Sequence, residues 1–170
     1  MGLPDSQRRA QQLVDDHYLP LYRYAYRLTG SAADAEDLTQ EAFCKAQSQL
    51  GQLREQDRAK SWLFSILRNA YLHRVRAGKV EKVISWDSVG EIADRTPEPL
   101  PPVEQLQLQE ALLQLPEDFR TPVILFYFED FSYRDIAEQM GLPLGTVMSR
   151  LARAKAFLRS QLAQPVPEPK

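Results

Sequence analysis

Ser132–Arg159, SYRDIAEQMGLPLGTVMSRLARAKAFLR, reads as helix, tight turn, helix. Ser132 suits a helix N-cap, and Asp135 three residues on can answer it as a capping-box variant. Ile136, Ala137 and Met140 follow at helical spacing, and Gly141 supplies a left-handed C-cap. Pro143 fits the first turn of a second helix. In that helix Val147, Leu151, Ala154 and Leu158 share one face, and Gly145, Ser149, Ala152, Arg153 and Ala156 lie opposite. Arg150, Lys155 and Arg159 flank it, and Leu144–Arg159 contains no acid. A helix with small outer residues and basic flanks can lie deep in a major groove and hold phosphate on either side. Ala137 lets the two helices approach, Gly141 turns the chain, and Val147 packs inside, as a helix-turn-helix requires. An ordinary helical hairpin has the same apolar pattern. Charge favours the DNA reading: residues 104–138 hold eight acids and two bases, so the bases concentrate on the second helix.

The chain has 170 residues, is 44% hydrophobic and 26% charged, and so can bury a core in one domain or two small ones. No stretch approaches 18 apolar residues, and MGLPDSQRRAQQ lacks a signal-peptide core, so a cytoplasmic protein without membrane insertion is expected. Cys44 is the only cysteine, which excludes an internal disulfide and a CxxC motif. His17 and His73 lie far apart in sequence, so neither a metal site nor a cofactor is expected. The net charge of −2 argues against a generic nucleic-acid coat, yet Arg58–Lys79 has six bases and no acid. Such a chain is expected to bind DNA only with the help of something larger.

From the N-terminus, residues 8–17 read as a short helix. Leu19–Leu28 reads as a second, with Pro20 near its start, Leu21, Tyr22, Ala25 and Leu28 inward, and Gly30 at its end. Ser31–Leu50 reads as a long helix capped by Ser31, with Asp34, Glu36 and Asp37 in its first turns, where the helix dipole favours anions. Ala35, Leu38, Ala42, Phe43 and Ala46 form its apolar stripe. The acids have no partner nucleophile or His that would suggest acid–base chemistry, and taken alone they read best as a solvated helix start. After the polar link Gly51–Lys60, Ser61–Arg76 is expected to be helical, with Leu63, Ile66, Leu67 and Ala70 inward. Trp62, Ser65, Asn69, His73 and Arg76 share another face. It offers a ring for stacking, polar edges for base reading and charge for phosphate, the parts of a single-strand platform. A part-buried Trp with a basic solvated face fits the same spacing. Residues 97–102 contain four prolines and mark a semi-rigid linker. Helices are expected again over 104–115 and 117–129, the latter buried around VILFYF with Pro122 in its early part. The tail QPVPEPK is expected to fray.

Three stretches then resemble a known family. YRYAYRLTGSAADAEDLTQEAF is similar to the first part of the sigma-2 domain, WLFSILRNAYLHRVR to its promoter-opening part, and LPEDFRTPVILFYFEDFSYRDIAEQMGLPLGTVMSRLARAKAFLR to sigma-4. The chain thus resembles an extracytoplasmic-function (ECF) sigma factor of the bacterial sigma-70 family, over roughly residues 10–162. The resemblance implies an all-α fold of two small helical domains joined by a proline-rich linker. They are a sigma-2-like domain at 8–78, the linker at 79–103, and a sigma-4-like helix-turn-helix domain at 104–163. It implies a non-enzymatic protein that binds core RNA polymerase, directs it to promoters and helps melt the −10 region. Asp34, Asp37, Gln40, Glu41 and Phe43 would meet the β′ clamp helices. Arg54, Lys60, Trp62, Asn69, His73 and Arg76 would read the −10 element. Thr146, Met148, Ser149, Arg150, Arg153 and Lys155 would read the −35 element, with the same domain on the β flap. Met148 departs from the pattern, since many members carry Arg or Lys there; it can offer apolar contact to a thymine methyl but no bidentate contact to guanine. GTVMSRL also resembles members paired with zinc-binding anti-sigma factors. The competing reading is a free-standing helix-turn-helix regulator with a helical sensing or dimerising N-terminal domain, which would bind duplex DNA unaided.

Overall fold

The computed structural model describes residues 2–78 and 105–162. Among these, helices α1 (Asp5–Thr29), α2 (Ala32–Ser48) and α3 (Ala59–Arg76) precede α4 (Gln105–Leu113), α5 (Glu117–Tyr127), α6 (Tyr133–Met140) and α7 (Leu144–Leu162), with no strand. The chain divides into two compact units, Met1–Lys82 and Val83–Lys170. The expected linker at 79–103, its proline run and the tail QPVPEPK lie outside the described residues.

The first unit is a packed trio of helices. The two short helices expected before Gly30 are one continuous helix that runs through Pro20. An interior proline removes one backbone hydrogen bond and costs roughly 3 kcal/mol. Against that, Leu13, Leu21, Tyr24, Ala25 and Leu28 form one buried stripe on both sides of the proline. Each large side chain so buried contributes about 1.5–3 kcal/mol, enough to hold the helix together. Tyr24 takes the inward place expected of Tyr22. It stacks on Phe64 of α3 with ring centroids 4.8 Å apart, and both rings are buried. Gly30, with φ 69°, ends α1, and Ser31 begins α2 by accepting a hydrogen bond from the Asp34 N–H at 3.2 Å. The buried side of α2 is Ala35, Leu38, Thr39, Ala42 and Ala46, mostly small residues that let neighbouring helices come close. The polar link to α3 contains two 3-10 turns, Leu50–Gln52 and Gln56–Arg58.

In the second unit, α4 ends on a side chain. The Arg120 guanidinium of α5, only 6% exposed, donates to the carbonyls of Leu112 at 2.9 Å, Leu113 at 3.0 Å and Leu115 at 2.6 Å. The Leu112 carbonyl also accepts the Leu115 N–H at 3.1 Å, and the guanidinium adds a charged donor to this helix end, where a cation suits the negative end of the helix dipole. At the end of α5, Asp130 adopts φ 59°, a conformation that Asp tolerates, and the Phe131 N–H reaches back to the Leu125 carbonyl at 2.9 Å. The capping box of α6 is complete: the Asp135 N–H donates to Ser132 Oγ at 3.1 Å, and the Ser132 N–H to Asp135 Oδ2 at 3.4 Å. Gly141, with φ 65°, then forms a Schellman turn. Its N–H meets the Glu138 carbonyl at 3.3 Å, and the Leu142 N–H meets the Ala137 carbonyl at 2.9 Å. Pro143 stands just before α7, and its carbonyl receives the Thr146 and Val147 N–H groups. Val147, Leu151, Ala154 and Leu158 are buried as expected.

Candidate nucleic-acid interface

Helix α3 presents its polar groups in one line. Successive helical residues turn by about 100°, so Trp62, Ser65, Asn69, His73 and Arg76 fall on one side. Asn69, His73 and Arg76 are exposed, and Trp62 is half-buried at the head of the line. Leu63, Phe64, Ile66, Leu67, Ala70 and Tyr71 fill the core from the other side. Lys60 does not join the line. It is turned by about 160° from Trp62, with its ammonium 5.7 Å from the centre of the Phe64 ring. There it acts on His17 of α1, whose pKa is held below its ordinary value by burial; Asp16 opposes that shift and Lys60 adds to it. Arg54 is exposed in the link before α3.

Helix α2 distributes its expected contact residues over three directions. Asp37 and Gln40 are exposed on its outer side, and Asp34 is half-buried beside them. Phe43 leans to α1, where it stacks on Tyr18 at 6.1 Å, which in turn stacks on Tyr22 at 6.4 Å. Glu41 leans to α3: Arg74 Nη2 donates to it at 2.9 Å, Arg74 Nε at 3.2 Å, and Lys45 approaches to 3.4 Å. Burial alone would raise the Glu41 pKa, but hydrogen bonds and charge from Arg74 and Lys45 prevail and hold it below the usual carboxylate range. Arg74 therefore braces α2 and is not part of the exposed line on α3.

The outer side of α7 is narrower than its sequence suggests. Gly145, Met148 and Ser149 are exposed, Met148 at 49%, and Ala152 is half-exposed. Ala156 lies on the same side by spacing but is only 8% exposed, so the open surface belongs to the first half of the helix. Thr146 and Lys155 are half-buried. Arg153, expected to point outward, packs against α5 with its guanidinium 5.0 Å from the centre of the Phe119 ring. Arg150 is 6.0 Å from the same ring and reaches Asp118, with Nη1 3.5 Å from the carbonyl oxygen and 4.0 Å from Oδ1. Pro122 explains why that carbonyl is receptive: lacking an N–H, it cannot donate to the residue four places earlier. Phe119 and Asp118 were not singled out in the sequence, where they belong to an apolar helix. The readable signal was Pro122 itself, which marks Asp118 as an acceptor in need of a donor.

Among the described residues no group of three or more His, Cys, Asp or Glu side chains could hold a metal ion, and no helix is long and apolar enough to cross a membrane.

Known proteins match both units. Residues 13–80 match the family model of sigma-70 region 2, and residues 105–158 that of sigma-70, region 4. The ECF RNA polymerase sigma factor SigE of Mycolicibacterium smegmatis is 38% identical over 162 residues, which cover 90% of this chain and 61% of SigE. The ECF RNA polymerase sigma factor SigL of Mycobacterium tuberculosis is 35% identical over 155 residues, 89% of this chain and 88% of SigL. Among solved structures, the sigma factor RpoE, in complex with the anti-sigma factor NepR from Bartonella quintana, matches with a TM-score of 0.73 and 27% identity, covering 89% of this chain and 95% of RpoE. A free-standing regulator is not favoured, because the relatives match along both units and not only across the helix-turn-helix.

Proposed function

Because the chain belongs to the sigma-70 family, in its extracytoplasmic-function group, we propose that it directs core RNA polymerase to a set of promoters and that its two units divide this work. In the first unit, Asp37 and Gln40, with Asp34 and Phe43 at their edges, meet the β′ clamp helices, and Glu41 supports that surface from the α3 side. The line Trp62, Asn69, His73 and Arg76, together with Arg54, takes the unpaired −10 strand. In the second unit, α7 enters the −35 major groove. Met148 and Ser149 approach base edges there, while Thr146, Arg150, Arg153 and Lys155 secure the backbone. The same unit docks on the β flap. An anti-sigma factor is the expected antagonist, as for RpoE with NepR. The work is done where the polymerase is, in the cytoplasm, and requires no chemistry of the chain's own.

The observation that carries the −10 reading is the exposure of Asn69, His73 and Arg76 along one side of α3. Asn69 can both donate and accept, as a base edge demands, and Trp62 can bound a stacked base. Unstacking a base costs a few kcal/mol, and base capture at about 1–3 kcal/mol per stacked base offsets it. Asn69→Ala is expected to assemble with core polymerase normally, yet to open promoters poorly and to bind a single-stranded −10 oligonucleotide more weakly. Permanganate footprinting of linear duplex, beside oligonucleotide binding by holoenzyme, tests this. Melting and oligonucleotide binding equal to the parent would assign the line a purely structural role.

A further inference from the structure

Arg150 and Arg153 do not stand on α7 alone: both converge on Phe119 in the first turn of α5. We propose that Phe119 is a positioning residue for −35 DNA, a platform that fixes the plane of the Arg153 guanidinium, and with Asp118 the course of Arg150, before the helix meets the groove. This rests on the reading of α7 as the −35 helix.

The two uses of the arginine are compatible. Stacking on a ring engages the π face of a guanidinium, whereas phosphate and base edges are recognised by the N–H groups around its rim. A ring at 5.0 Å therefore orients Arg153 without competing for the groups that DNA needs. An arginine also carries large rotamer entropy, and a side chain already held in one plane loses less on binding. Arg150 is directed from the other end. Pro122 leaves the Asp118 carbonyl without its helical donor, and Arg150 Nη1 lies 3.5 Å from it. Spacing contributes too. Arg150 and Arg153 are three residues apart, so they sit on one flank of α7 and can share one ring. That flank lies beside the exposed Ser149, where phosphate contacts set the register of the base-reading residues. The platform belongs to α5, outside the helix-turn-helix itself, so recognition depends on a residue that never touches DNA.

The test uses holoenzyme assembled from core polymerase and the full chain. The probe is a duplex that the parent holoenzyme selects from a library randomised at the −35 position, with a scrambled −35 duplex as control. Phe119→Leu keeps the apolar bulk and removes the ring. It is expected to weaken binding to the selected duplex by roughly 3- to 10-fold, the scale of one cation–π contact with its rotamer restraint. Phe119→Tyr, which keeps the ring, should restore the parent's affinity. F119L added to R153A should weaken binding by less than F119L alone, because the platform then has one arginine fewer to hold. If R153A weakens binding but F119L does not, or if F119L costs as much in the R153A background as in the parent, the platform is refuted while the −35 reading stands. If R153A binds the selected duplex as tightly as the parent, the −35 role of Arg153 falls, and this inference falls with it.

Discussion

Arg120 is a single residue on which one helix end depends. It is buried within an otherwise apolar stretch, a place where arginine is rare unless its donors are satisfied. Three carbonyls at the end of α4 accept from it. Removing it leaves those acceptors without the cation and opens a gap between α4 and α5. Arg120→Ala is expected to destabilise the second unit by about 2–3 kcal/mol, the scale of losing buried hydrogen bonds from a charged donor. The check is hydrogen exchange of the α4 amides, which should accelerate while those of α2 and α3 hold. Protection of α4 equal to the parent would show that water or neighbouring groups replace the guanidinium. The capping of α6 by Ser132 and Asp135 and its termination at Gly141 were legible, because caps are local and their residue types are specific. Arg120 was not legible. Its partners are backbone carbonyls on another helix, and no spacing rule within the sequence names them. The same limit applies to Arg153, whose place on α7 follows from spacing but whose contact with Phe119 depends on how α5 packs.

At the scale of elements, the helices and their buried faces were largely readable from apolar spacing, and the misreadings have physical causes. Pro20 suggested a boundary in α1, yet the buried stripe from Leu13 to Leu28 outweighs one lost hydrogen bond. The first-turn acids of α2 by themselves read as a solvated start, and only the family resemblance made them a docking surface. The structure separates Glu41 from them by joining it to Arg74 on α3. That ion pair makes the α2–α3 contact sensitive to acid. The Glu41 pKa is lowered in the folded chain, so its stabilisation is fully present above the unfolded value near 4.5. It is lost as pH falls through the lower folded value. Glu41 and Arg74 side chains are 33% and 22% exposed, so solvent screening limits the pair to about 0.5–1 kcal/mol. Glu41→Gln is expected to lower the unfolding free energy of the first unit at pH 7 by that amount, read from a lower urea midpoint at unchanged slope. The difference from the parent should vanish below the folded pKa, where the parent's carboxyl is also neutral. An undiminished difference at low pH would mean that Gln disturbs packing, and that charge is not what Glu41 contributes.

The whole molecule combines local basic stripes with a net charge of −2. Sequence-independent affinity for DNA comes mainly from phosphate neutralisation and grows with the number of lysines and arginines that can act together. Here that number is reduced further. Arg74 is tied to Glu41, and Arg150 leans on Asp118, so several bases that look available in the sequence are already in contact with acids or backbone carbonyls. Acids elsewhere in the chain also repel the duplex at low salt. The chain alone is therefore expected to bind promoter duplex weakly and with little preference for its −35 sequence. The preference should emerge on assembly with core polymerase, which supplies additional phosphate contacts and holds both units on the same promoter. Two modest contacts presented together gain effective concentration, so the whole complex can exceed either by orders of magnitude. Fluorescence anisotropy at about 0.15 M salt, comparing selected with scrambled −35 duplexes, distinguishes the cases. The isolated chain should give nearly equal, weak titrations, and the holoenzyme a clear separation between the two probes. A tight, sequence-selective titration by the isolated chain, as a free-standing dimeric regulator would give, would show that its own surface suffices and would remove the charge-based reason for its dependence on polymerase.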